Sequence, residues 1–145
     1  MTFTIYFLFA LSVVILSVLV GSRVSKESSD INDFLGSHKQ FFGLGEGYRK
    51  FRELSPKIVC VDGFSMRVQV SSGHYCFPRL DDSPCYGMAE IGYPSSWMDG
   101  SLEEYAEEWD KQTDTIYCYV PVKLINAIIE SHGGISHEDI RPASR

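Results

Sequence analysis

The chain has 145 residues, of which 44% are hydrophobic and 22% charged, with a net charge of −6. This ordinary globular composition sets aside a collagen-like, low-complexity or wholly disordered chain. The charge is uneven: residues 22–57 carry seven basic and five acidic side chains, whereas residues 58–145 carry six and fourteen, a balance of about −8. An acidic surface of that kind sets aside nucleic acid as the domain's partner.

Residues 2–21 contain no charged side chain and include the run FTIYFLFALSVVILSVLV, close to the ~20 residues that span a bilayer core as a helix. Segment 1–22 is therefore expected to be a single transmembrane anchor. A cleaved secretory signal is the competing interpretation, with Val20-Gly21-Ser22 as the cleavage region. Arg23 and Lys26 follow the run and no basic side chain precedes it. The positive-inside rule then places the C-terminal domain in the cytoplasm.

Residues 23–56 are expected to form a juxtamembrane linker with short amphipathic helices. Ser29 or Asp30 can cap a helix whose face positions Ile31, Phe34, Leu35, His38 and Phe41 or Phe42 recur at helical spacing. The glycines of FGLGEG interrupt it, and EGYRKFREL is expected to form a second short helix ending before Pro56.

A domain is expected over residues 57–135, with a tail at 136–145. In KIVCVDGFSMRVQV, Asp62-Gly63 suits a two-residue hairpin turn. That turn would pair Val61 with Phe64 and place Val59, Val61, Phe64, Met66, Val68 and Val70 on one apolar face, with Cys60, Ser65 and Arg67 opposite. A third strand is expected over residues 87–93. In SLEEYAEEWD, Ser101 and Glu104 form a capping box ahead of the stripe Leu102, Tyr105, Ala106 and Trp109, predicting an amphipathic helix. TIYCYV (115–120) is β-branched and aromatic, and a fourth strand is expected there. Pro121 opens a helix with Val122, Ile125, Ile128 and Ile129 on one face and Gly133 as its left-handed cap. The order hairpin, β, α, β, α predicts an α+β fold, a small antiparallel sheet of about four strands with two helices on one face, preceded by the transmembrane helix.

Chemistry-bearing residues concentrate in SSGHYCFPRLDDSPC (71–85). Cys60, His74, Cys76 and Cys85 make one alternative, a structural zinc site, although the paired C-x2-4-C spacing is missing. No cofactor is otherwise expected. Four free thiols suit a cytoplasmic domain; disulfides suit a secreted one. Cys76 or Cys60 with His74 and Asp81 or Asp82 would make a small Cys/His enzyme. Against this, no nucleophile elbow, His-Glu-x-x-His or phosphate-binding loop is present. The favoured reading is thus non-enzymatic: Glu103, Glu104, Glu107 and Glu108 would attract a basic protein partner, with Arg67, Tyr117 and Tyr119 forming an aromatic and arginine surface on the opposite sheet face.

The blocks DGFSMRVQVSSGHYCFPR, EIGYPS, EEYAEEW, TDTIYCYVPVKLI and HGG resemble a family of small uncharacterised proteins encoded by tailed bacteriophages, over roughly residues 59–134. The relatives begin near the hairpin, so the N-terminal segment is an addition. The resemblance implies a phage or prophage product, here tethered to the inner membrane of a bacterial host. It would bind a host or phage protein in host modulation or defence evasion.

Overall fold

The computed structural model describes residues 30–42, 51–98 and 100–136. Helix α1 (Ile31–Ser37) starts as its sequence requires: Asp30 is extended, and its Oδ1 accepts the Asn32 N–H at 2.8 Å. Ile31, Phe34 and Leu35 are buried. The helix stops at Ser37, and the two phenylalanines beyond it form β1 (Phe41–Phe42), antiparallel to β2 (Phe51–Arg52). The helix expected over EGYRKFREL is corrected where it can be seen, because Phe51 and Arg52 are strand; the rest of it lies outside the described residues.

The main sheet is fully antiparallel, in the order β3 (Ile58–Val59), β4 (Ser65–Gln69), β5 (Met88–Gly92), β6 (Ile116–Pro121). With α1, a 3-10 helix (Gly100–Tyr105) and α2 (Val122–Ser131), it makes a small α+β fold. Two irregularities decide which side chains face the core. The hairpin turn has three residues: the Cys60 N–H donates to the Phe64 carbonyl at 2.7 Å, and Gly63, at φ +90°, closes it. Ile58 therefore pairs with Met66 and Val59 with Ser65. This one-residue difference from the expected register puts Ile58 and Cys60 in the core and leaves Val61 68% exposed.

The second irregularity is a bulge in β6. Ala89 pairs with Val120 but Ile91 with Tyr117, so Cys118 and Tyr119 together oppose Glu90, and Tyr119 takes φ +56°. Strict alternation would put Tyr117 on the same face as Tyr119. With the extra residue, Tyr117 and Val120 both turn inward, and Tyr117 is 3% exposed.

Helix α2 buries Val122, Ile125, Ile128 and Ile129, each such side chain contributing about 1.5–3 kcal/mol when fully buried. Asn126 fastens α1 to it, its Oδ1 accepting the Ile31 N–H at 2.9 Å. Gly133, at φ +84°, caps α2 as its position requires; a Cβ there would sit 3.2 Å from that of Val61. The SLEEYAEEWD segment is not an α-helix through Trp109. After Tyr105 it joins the sheet margin, with Ala106 bridging Tyr117 and the Glu107 N–H donating to the Ile116 carbonyl at 2.9 Å, so Trp109 is exposed. At the opposite margin, Ile135 bridges Cys60 and the Ser136 N–H donates to the Val59 carbonyl.

The face away from the core is partly covered. The Gln69 carboxamide pairs with both backbone groups of Ser55, accepting from its N–H at 2.9 Å and donating to its carbonyl at 3.0 Å.

The expected transmembrane helix is corrected. Among the described residues no helix is long and apolar enough to cross a membrane, so the single-pass inner-membrane placement and the membrane partner derived from it are withdrawn. Segment 1–22 itself lies outside the described residues.

Candidate functional site

The loop between β4 and β5 is held by its own polar side chains. Ser71 Oγ accepts the Gly73 N–H at 3.0 Å and lies 2.6 Å from His74 Nδ1. Asp81 Oδ1 accepts from both the N–H and the hydroxyl of Ser72, each at 2.9 Å. The Tyr86 hydroxyl donates to the Leu80 carbonyl at 2.8 Å, and Asn32 brackets the Tyr86 backbone by bonding its N–H and its carbonyl. Lys39 pairs with Asp82.

These bonds do not assemble the zinc or enzyme alternatives. Cys60 is in the core, at the bridge to Ile135. Cys76 is fully buried and its Sγ donates to the carbonyls of Ser71, at 3.2 Å, and Pro78. Cys85 is exposed and His74 is engaged with Ser71. Among the described residues no group of three or more His, Cys, Asp or Glu side chains is placed to hold a metal ion. The thiol chemistry also runs the wrong way for a nucleophile. Burial, then the Asp62 charge, pushes the Cys60 thiol up to about 11; burial raises Cys76; burial, Glu107 and Glu90 raise Cys118. An activated cysteine needs the opposite shift.

The acidic residues lie at the surface. Glu103, Glu104, Glu107 and Glu108 are all exposed along the 3-10 helix and the stretch that follows it. Lys111 pairs with Glu108, and that neighbour raises its pKa. Arg67 is half-buried on β4, opposite Gly92. Tyr117 is withdrawn from the surface, its hydroxyl donating to the Gln112 carbonyl at 2.7 Å. The aromatic surface proposed for it therefore has to be built from other residues.

Tyr119 remains exposed and gains neighbours that periodicity did not supply. Its ring meets Tyr75 edge to face, centroids 5.8 Å apart, and its N–H donates to the Tyr75 carbonyl at 3.0 Å. The Arg79 guanidinium lies 5.7 Å from the Tyr75 ring centroid. The Tyr75 N–H donates to Glu90 Oε2 at 3.0 Å, and Phe77 bridges Met88. Tyr75, Phe77, Met88 and Tyr119 all expose apolar surface, Phe77 to 64%. The available signal was the alternation of Tyr75, Phe77 and Arg79 in HYCFPR. Glu90 and Met88 gave none, since they join only through pairing of distant segments.

Comparison of the chain with protein-family models, with curated proteins and with solved structures finds no match.

Proposed function

We propose that this chain is a non-enzymatic accessory protein whose domain binds a protein partner through the acidic stretch at Glu103, Glu104, Glu107 and Glu108 together with Tyr119. The observation that carries the proposal is the state of Tyr119. A bulky residue held at φ +56° with 38% of its surface exposed is a strained arrangement of the kind found where a side chain must be presented. Aromatic side chains beside an acidic rim suit protein contact, and the raised thiols of Cys60, Cys76 and Cys118 do not favour a cysteine nucleophile at those positions. The likeness of the sequence blocks to small tailed-phage proteins supplies the setting, a phage or prophage product whose partner is a host or phage protein.

The test is capture of partners from a bacterial host lysate by the full-length protein. Reversing the charges with Glu103→Lys and Glu107→Lys is expected to abolish specific capture. Undiminished capture would remove the acidic stretch from the proposal.

A further inference from the structure

Resting on that protein-binding proposal, we infer that Tyr75, Phe77, Met88 and Tyr119 form a polarised platform for an extended apolar segment of the partner, entered by Lys or Arg at the Glu107 end.

The platform is built by the bulge and the loop acting together. The bulge sets Tyr119 outward, and the Tyr119–Tyr75 backbone bond fixes the loop against β6 at that point. Phe77 bridges Met88 and the Tyr75 N–H bonds the Glu90 carboxylate; Met88 and Glu90 alternate with the buried Ala89 and Ile91, so both loop residues are tied to the outward side of β5. Such rings contribute contact area with few torsions to freeze.

Charge gives the platform a direction. Beside Tyr119, Arg79 lies over the Tyr75 ring, and among the described residues no carboxylate forms an ion pair with it. Towards the start of β6, Glu107 is tied to Ile116, which pairs with Gly92, two residues along β5 from the Glu90 that Tyr119 opposes, or about 7 Å along a strand. Glu103 and Glu104 extend the negative potential beyond it, while Glu90 is held by the Tyr75 N–H. A cation on the partner is repelled at Arg79 and attracted at Glu107, which sets the orientation of the bound segment. The −8 balance of residues 58–145 steers the same kind of partner over longer range. A second copy of this chain would bring like charge to the acidic end, which disfavours self-docking there.

The experiment uses full-length protein and two fluorescein-labelled peptides, each an alternation of Leu and Thr, one preceded by a Lys-Arg pair and its twin by a Glu-Glu pair. Fluorescence anisotropy is expected to show binding of the basic peptide at least tenfold tighter than its twin. Glu107→Gln should weaken that binding and flatten its salt dependence. Tyr119→Gly, which suits the local backbone, should weaken it at least tenfold with the unfolding midpoint retained. Equal binding of the twins, or no binding of either, overturns the inference. Unchanged binding by Tyr119→Gly also overturns it, while leaving the broader proposal dependent on the acidic stretch alone. Concentration-dependent self-association lost in Tyr119→Gly would make the platform homotypic and likewise overturn it.

Discussion

His132 Nδ1 lies 2.7 Å from Asp62 Oδ2, and the His132 ring stacks on Phe64 at 4.0 Å between centroids. Tip of hairpin and end of α2 are thereby joined, and the Val61 N–H adds a bond to the Gly134 carbonyl at 3.1 Å. The hydrogen bond from His132, then that from the Phe64 N–H, holds the Asp62 carboxyl below its ordinary range.

A depressed carboxylate stabilises the fold above its unfolded pKa, and that contribution is lost as pH falls through the folded value. Asp62→Asn is therefore expected to lower the thermal midpoint near neutral pH. The gap from the parent should close under acid, below the ordinary carboxylate pKa of about 4. Thermal melts across that range check this; a gap that widens with acidification would contradict it.

Tyr93 and Tyr119 are the two described non-glycine residues at positive φ, +49° and +56°. A left-handed conformation costs such residues about 1–2 kcal/mol. Tyr93→Gly is expected to leave stability unchanged or raise it by up to about 1 kcal/mol. Tyr119→Gly should come out near neutral, because it also removes the contact with Tyr75. Denaturant midpoints measure both, and a loss above about 2 kcal/mol in either would refute the strain argument.

Modification by a small thiol reagent at neutral pH should follow burial and thiol state. Cys85 is expected to react first, Cys118 more slowly, and Cys60 and Cys76 only on unfolding. Peptide mapping by mass spectrometry gives the order. Early modification of Cys76 would reopen a catalytic role for the loop.

Gln69→Leu is expected to destabilise the protein by about 2 kcal/mol or more, since both buried backbone groups of Ser55 lose their partners. Chemical denaturation reads the change. A loss below about 0.5 kcal/mol would mean that water replaces the carboxamide at no cost.

Local signals in the sequence were sound where one segment decides its own structure. The Asp30 cap, the apolar stripe of α2 and the Gly133 cap each depend on residues within a turn or two. Side-chain direction was legible along β4 but not beyond the irregularities, because period-2 alternation inverts with every inserted residue. One extra turn residue at Val61 exchanged the faces of the first hairpin arm while Phe64, Met66, Val68 and Val70 kept theirs, and one at Cys118–Tyr119 turned Tyr117 inward. Similarly, the stripe through Trp109 satisfied helical spacing, but Ala106 and Glu107 found partners on β6 that the stripe could not reveal. The candidate surface was half legible: Tyr119 was named from strand alternation and the glutamates from the charge of one segment, whereas Tyr75, Arg79 and Glu90 meet only after the loop has folded back.

Both lateral margins of the four-stranded sheet are occupied by the protein's own chain, Ile135 and Ser136 beside β3, and Ala106, Glu107 and Tyr75 beside β6. A foreign strand would first have to displace those segments. Fibril templating and strand donation on this sheet thus require that displacement first, and a partner that docks on it without such displacement must recognise the identities of side chains rather than the repeating amide ladder.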